Sequence, residues 1–595
     1  MRQPPIIALR LALVSLVSLV WAACGGAPAP GVAAPAEGAP PRAAVIRGTR
    51  SIPATWTVHS SPVTAPKAMV VSAHPIASAA GMEIIKQGGN AIDAAVAVGF
   101  ALAVVYPDAG NIGGGGFIVH RSAAGDVQAI DYREMAPGGA SHDMYLDSAG
   151  NLTEKSVTGH LASGVPGSVA GMYEAWKRHG SLPWATLLAP AIRLAQDGHR
   201  VDAERSGDIK GDSDRLTEFP ASRAQFLPGG HPPTPGTLWK QPDLARTLQL
   251  ISDSGPDVFY RGQIADLIVA EMQRGGGLIT KDDLRRYRPK WRTPIQLSYR
   301  GYTIYSMPPA SSGGVTLGEI LNIMEGYDTL PAVGTAAYTH LLTEAMRRAF
   351  MDRNQFLGDP DFVDMPLERL LSKSYAAQLR GQIDPLHATP TPPPQAAGGG
   401  EAMHTTHYSI VDTAGNAASV TTTLNNSFGS AVTVTGAGFL LNDEMDDFAA
   451  APGKPNMYGL VQGEANAIAP GKRMLSAMTP SIVLDRDGQL FLVVGTPGGP
   501  TIITTVAQVI LDVLDQKMTL AEAVAAPRIH HQALPDIIRY ERGGLSESTV
   551  TALRGMGHHV EMRRGTSGIV AAIQRTPAGW VGVPDPRYAG GAVGW

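Results

Sequence analysis

Residues 404–430 read HTTHYSIVDTAGNAASVTTTLNNSFGS, and the first twenty of them have the pattern of a β-hairpin. Tyr408 to Val411 and Ala417 to Thr423 are rich in strand-forming residues, and Asp412 to Asn416 between them supplies the Asp, Gly and Asn of a tight turn. Immediately upstream, residues 388–400 read ATPTPPPQAAGGG, the sharpest change of composition within the body of the chain. A Pro-rich stretch running into three glycines is expected to be exposed and mobile. A Thr-Thr pair therefore heads a strand behind a flexible segment. A threonine hydroxyl is a weak nucleophile unless a base sits beside it, and one such base is its own α-amine, freed when the chain is cut just before it. Thr405 and Thr406 meet this description equally on chemical grounds, and a Thr-Thr pair at a strand start is in itself ordinary β-propensity.

Further along, Ser481 to Leu484, a turn through Asp485-Arg-Asp-Gly488 and Leu490 to Val494 repeat the hairpin pattern. They lead into Gly495-Thr-Pro-Gly-Gly499 and an apolar helical stretch from Thr501 to Leu514. Upstream, residues 45–386 alternate helical and strand-like segments. The spacing predicts a helix from Ile76 to Gln87, stopped by Gly88-Gly89. Residues 90–105, NAIDAAVAVGFALAVV, are as apolar as a membrane span but too short for one, and they carry Asp93, so a buried core helix is expected. Residues 111–117, NIGGGGF, have the glycine density of a phosphate loop without the Lys-Ser/Thr that would complete it, and a tight turn of closely approaching backbone is expected. No period of 20–50 residues recurs, which excludes repeat architectures. There is no GxSxG, HExxH or Walker motif.

Forty-eight Lys and Arg against 52 Asp and Glu give a net charge of −4, with no basic excess to displace counterions from nucleic acid. With 44% hydrophobic and 17% charged residues, the chain has the material for a packed core. Its one cysteine excludes a disulfide framework and multi-Cys metal sites. Residues 1–23 follow the order of an export signal: Arg2 and Arg10, an apolar run from Leu11 to Trp21, then two alanines. Cys24 stands directly after them and resembles the cysteine of a bacterial lipoprotein box, although Trp21 replaces the usual Leu. Residues 24–44 then form an Ala/Pro/Gly-rich tether. The expectation is an exported protein at the periplasm or cell surface, lipid-anchored through Cys24.

Several long blocks, in order, resemble the γ-glutamyltranspeptidase family. They are AHPIASAAGMEIIKQGGNAIDAAVA at 73–97, DYREMAP at 131–137, the 405–430 string, LNDEMDDF at 441–448, PNMYGLVQGEANAIAPGKRMLSAMTP at 455–480, GTPGGPTIITT at 495–505, APRIHHQALPD at 526–536 and DPR at 585–587. The resemblance implies an α/β (α+β) protein with the four-layer αββα sandwich of the N-terminal-nucleophile hydrolases. It also implies a precursor that cuts itself between His404 and Thr405 into a large subunit, 45–404, and a small subunit, 405–595, which stay together as a heterodimer.

The same resemblance makes Thr405 the processing residue and nucleophile, Thr423 its supporting hydroxyl, and Gly498 and Gly499 the backbone donors to the oxyanion. Arg133 would clamp the α-carboxylate of a γ-glutamyl compound such as glutathione, Glu444 and Asp447 would accept its α-ammonium, and Asn425 would add a polar contact. Ser476 matches one of two adjacent serines that hold the carboxylate; the second is replaced by Ala477. Tyr458 matches the tyrosine of a lid loop, and Arg528 and Arg587 match structural ion-pair partners. The acyl group would pass to water or to amino acids and peptides, with no cofactor. His530-His531 invites a metal reading, but neighbours on a strand point to opposite faces and no further ligand set accompanies them, so no metal is expected. Read in isolation, Arg133 would be a surface pair with Asp131 or Glu134, and the 443–447 run a solvated acidic loop. Two alternatives remain: a cephalosporin or glutaryl acylase of the same family, and a non-catalytic surface lipoprotein.

Overall fold

Two seven-stranded sheets, antiparallel at every pairing, lie face to face in the computed structural model, which describes residues 61–390 and 405–595. The export signal 1–23, Cys24, the tether to residue 44, residues 391–400 of the Pro/Gly stretch and His404 lie outside the described residues. One sheet runs in the order Gly591–Gly594, Met69–Ser72, Thr405–Val411, Ala417–Thr423, Gly115–Arg121, Val127–Asp131, Lys290–Arg292. The other runs Val63–Ala65, Gly579–Pro584, Ala571–Thr576, Leu490–Gly495, Ser481–Leu484, Tyr302–Ser306, Ile295–Tyr299.

Three apolar clusters fill the spaces between four layers. Val71, Phe117, Val119, Ile482, Val493 and Ile573 pack between the sheets. The helices Pro75–Lys86, Ala91–Val105 and Trp184–Asp197 cover the outer face of the first sheet through Ile118, Ile410 and Val420. The helices Gly313–Glu325, Ala336–Phe356 and Thr501–Leu514 cover the second through Leu297, Val483 and Leu492. Central strands covered on both faces have no solvent side, so every residue of Thr405–Val411 and Ala417–Thr423 is buried.

The expected helices are present. Ala91–Val105 is buried at all 15 positions, and the charge that argued against a membrane span caps it: the Asp93 carboxylate accepts from Asn90 N at 3.0 Å. Among the described residues no helix is long and apolar enough to cross a membrane.

Two expectations need correction. The glycine run is a turn only to Gly114, because Gly115 and Gly116 already belong to the strand Gly115–Arg121. Its glycines serve close approach rather than unusual dihedrals: a Cβ at Gly113 would lie 2.0 Å from the Leu440 carbonyl oxygen, and one at Gly114 would lie 2.1 Å from that of Thr423. The Pro/Gly stretch is not loose from its first residue. Ala388 N donates to Met556 O at 2.7 Å, and the Thr389 hydroxyl donates to Glu344 while accepting from Arg348 Nη2 at 3.1 Å.

Candidate active site

Antiparallel register sets Thr405 opposite Thr423, with their hydroxyl oxygens 3.2 Å apart, and Asn425 N donates to the Thr423 hydroxyl at 2.8 Å. Alternation puts Thr405, His407 and Ser409 on the face turned toward the other sheet, where Ser409 Oγ reaches Ala571 O at 2.8 Å. Thr406 goes to the other face, its hydroxyl buried with no partner among the described residues and outside the pocket. Geometry thus separates two threonines that chemistry left equal.

His407 lies behind Thr405, paired with Thr421 Oγ1 at 2.8 Å and Ser409 Oγ at 3.1 Å. Burial pulls its imidazole down to about 3, so the ring is neutral. Gly495 makes room for it, since a Cβ there would lie 2.3 Å from the ring.

The Thr405 and Thr423 side chains open onto a cavity of about 320 Å3, counted with the solvent at its mouth. On one wall the chain passes from the strand end at Gly495 to the helix start at Thr501 through Gly498 and Gly499, at φ +133° and +55°. Neither amide N–H donates a hydrogen bond among the described residues, as expected of an anion-facing turn. Gly499 lines the cavity and Gly498 does not. The Tyr458 ring lies over Gly499, 3.0 Å from where a Cβ would stand, and its hydroxyl donates to Asn425 O at 3.0 Å and Oδ1 at 2.8 Å. Tyr458 is thus tied across the site.

The opposite wall is charged. Arg133 is fully buried, not a surface residue; its guanidinium donates to Glu444 and Asp447, and its Nε to Met474 O at 3.3 Å. The acidic run is likewise no solvated loop: Glu444–Asp447 is a short helical turn with Glu444, Met445 and Asp446 buried and Asp447 partly so. Burial pushes the carboxyls of Glu444 and Asp447 up, against the pull of Arg133. Beside them Glu134, 3.6 Å from Arg133, is pushed up by burial to about 8. Ser476 N donates to Ala310 O at 2.9 Å, the Ser476 hydroxyl accepts from Met478 N at 3.0 Å, and Ala477, with no polar side chain, lines the cavity.

Sequence reasoning missed Arg353, Leu460, Met478, Pro500 and Ile502, which complete the lining. Arg353 comes from the helix Ala336–Phe356 and is almost fully buried. Of the other predicted residues, Arg528 pairs with Asp585 at 2.6 Å and Arg587 with Glu541 at 2.6 Å, away from the cavity. His530 bonds Thr504 and Gln532, while His531 bonds Asp536. In the buried group His340, Glu344 and His558, the two rings bond each other at 2.7 Å and Glu344 takes Arg348 at 2.6 Å, while His558 Nδ1 has no hydrogen-bond partner among the described residues.

Two facing antiparallel sheets between helical layers, with a threonine heading an inner strand at the cavity, define the N-terminal-nucleophile hydrolase class of fold. Within it, a family model described as Gamma-glutamyltranspeptidase matches residues 77–595, and the chain belongs to that family. It is 47% identical over 532 residues to the glutathione hydrolase proenzyme of Escherichia coli, covering 88% of this chain and 91% of that protein. It is 39% identical to an acylase ACY 1 proenzyme of a Pseudomonas strain, over 88% of this chain and 93% of the other. The solved cephalosporin acylase from Bacillus halodurans is similar at a TM-score of 0.81 and 29% identity, covering 93% of this chain and 99% of that one.

Proposed function

We infer that the protein is a self-processing γ-glutamyl hydrolase and transpeptidase acting on glutathione and related γ-glutamyl compounds, with Thr405 as nucleophile. The observation that carries the reading is the Thr405 hydroxyl on one cavity with the Arg133, Glu444 and Asp447 charges on one side and Gly499 on the other. In the precursor, the Thr405 hydroxyl attacks the carbonyl of His404, the peptide nitrogen leaves as the Thr405 amine, and water hydrolyses the resulting ester. The new amine then takes the hydroxyl proton as the oxygen attacks the γ-carbonyl of the donor. The tetrahedral oxyanion meets the Gly498 and Gly499 amides, and the leaving amine takes up the proton. Water or an amino acid resolves the γ-glutamyl ester. Arg133 holds the α-carboxylate by a planar fork, Glu444 and Asp447 face the ammonium, and Tyr458 covers the site.

The test is Thr405→Ala. The parent should run as two fragments on a denaturing gel, the smaller beginning with Thr405, whereas the variant should run as one and lose turnover by on the order of 10^4-fold or more. A cleaved Thr405→Ala chain would overturn the assignment.

The acylase alternative is favoured by one feature, Ala477, which takes a hydroxyl out of the carboxylate subsite. Parallel assays with a γ-glutamyl anilide and glutaryl-7-aminocephalosporanic acid decide it, because an acylase accepts a donor without the α-ammonium and turns over the second faster. We further propose that the protein is exported and anchored through Cys24. Cys24→Ser should move it from the membrane fraction to the soluble exported fraction with activity intact, and an unchanged distribution would remove the anchor.

A further inference from the structure

The structure assigns to Arg353 a direct part in binding the donor's α-carboxylate, as the second cation of the pocket; the inference rests on the γ-glutamyl reading above. Two arginines line the cavity, and they differ in what they already hold. Arg133 directs its three nitrogens to Glu444, Asp447 and Met474 O, so two carboxylates answer its charge. A donor carboxylate arriving at Arg133 alone would meet those two carboxylates as well.

Arg353 has no such partner. Among the described residues no carboxylate lies within 4.0 Å of it, and its hydrogen bonds run to neutral acceptors. Its Nε donates to Ser312 Oγ at 3.0 Å, and its Nη1 to Asn354 Oδ1 at 2.9 Å and Gln462 Oε1 at 3.1 Å. Its Nη2 makes no bond to the described residues. A cation taken out of water without a counter-charge is unfavourable, and an anionic ligand is the natural compensation. Burial brings the guanidinium down to about 10, with Asp447 pulling the other way, so it stays charged at neutral pH.

Its position suits the task. Ser312, which accepts from Arg353, donates its own hydroxyl to Ser476 O at 2.7 Å and its amide to the same oxygen at 2.8 Å. Arg353 is thus braced against the segment carrying Ser476 and Ala477. The Ala477 side chain offers no hydrogen bond, and a guanidinium nitrogen supplies the donor that a side-chain hydroxyl would otherwise provide.

The experiment uses the processed protein and Arg353→Gln, reading KM for a γ-glutamyl anilide and inhibition constants for L-glutamate and 4-aminobutyrate, which differ only by the α-carboxylate. Arg353→Gln should raise the KM and the glutamate constant together by about 10- to 100-fold, with kcat within about threefold and the 4-aminobutyrate constant within about twofold. An equal rise for 4-aminobutyrate, or a loss confined to kcat, would mean that Arg353 only supports the fold, and the proposal falls. Should Arg353→Gln fail to self-cleave, Arg353→Lys carries the same comparison, with a smaller rise for glutamate and again none for 4-aminobutyrate. A parent protein without turnover of the γ-glutamyl anilide would instead overturn the functional reading itself.

Discussion

Two of the buried arginine–carboxylate clusters in this molecule, around Arg587 and around Arg133, are finished to different degrees. Around Arg528 and Arg587, each of the four carboxylate oxygens of Glu541 and Asp585 accepts two hydrogen bonds. The Glu541 oxygens take Ser567 N and Arg587 Nε, and Arg528 N and Arg587 Nη2; those of Asp585 take Arg587 N and Nη1, and Val570 N and Arg528 Nη2. Around Arg133, by contrast, Glu444 Oε2 and both oxygens of Glu134 accept no hydrogen bond among the described residues. The acidities follow the bonding. Burial pushes all these carboxyls up, but the arginines hold Glu541 and Asp585 below the usual range, whereas Glu444 and Glu134 end above it. A cluster whose carboxylate oxygens are all filled is a piece of structure; one with open carboxylate oxygens keeps acceptor capacity for something that arrives later.

Substituting the central arginine of each cluster gives the largest expected effects. Arg587→Met should cost about 3–5 kcal/mol of stability in denaturant unfolding, because it strands two buried carboxylates, and should leave KM alone. Arg133→Met should lower kcat/KM for a γ-glutamyl donor by about 10^2- to 10^3-fold while the protein still cleaves itself. Equal losses of stability in the two variants would break the contrast.

Next in size is the pH response, which should run in opposite directions. Glu134 is raised from 4.5 to about 8, so its contribution is present below about 4.5 and is lost as pH rises toward and through 8. Glu541 and Asp585 are depressed, so theirs is present above the ordinary carboxylate range and is lost as pH falls through their folded values. Hydrogen-exchange protection, corrected for intrinsic rate, should weaken around 132–135 on the alkaline side and around 541 and 585 on the acid side. Glu134→Gln should reduce the alkaline limb and leave the acid one unchanged.

Glu444→Gln should raise KM for a γ-glutamyl donor by about tenfold and leave a glutaryl donor, which has no ammonium, nearly unchanged. The smallest effect is expected for Ala477→Ser. A hydrogen bond to a charged group is worth about 1.5–3 kcal/mol, but a water at the site returns part of that, so KM should fall by up to roughly tenfold with little change in kcat. An unchanged KM would show that the pocket does not place the α-carboxylate beside residue 477.

These residues also mark where sequence reading reaches its limit. The helices at 75–86 and 501–514 and both hairpins are legible because capping, turn chemistry and apolar spacing act over a few residues. Strand order is not, since Val63–Ala65 pairs with Gly579–Pro584 some five hundred residues away. The 443–447 run reads as solvated because local composition says nothing of the layers that close over it. Arg347, Arg348 and Arg353 are alike in sequence, yet only Arg353 reaches the cavity, and that depends on how its helix is rotated on the sheet. The choice between Thr405 and Thr406 needs the strand's facing, which a one-residue slip would reverse.

The order of strands in the first sheet has one more consequence. Met69–Ser72 lies between Gly591–Gly594 and Thr405–Val411, and Ala417–Thr423 is followed by Gly115–Arg121, so segments from before and after residue 405 are woven edge to edge. Two polypeptides produced by a cut before Thr405 would share one hydrogen-bonded ladder and one core, and dilution could not part them without unfolding both. Neither piece made alone would have partners for its strand edges, so mixing two separately expressed halves should yield aggregate rather than enzyme. The uncut chain is then its own assembly template, needed once and dispensable afterwards.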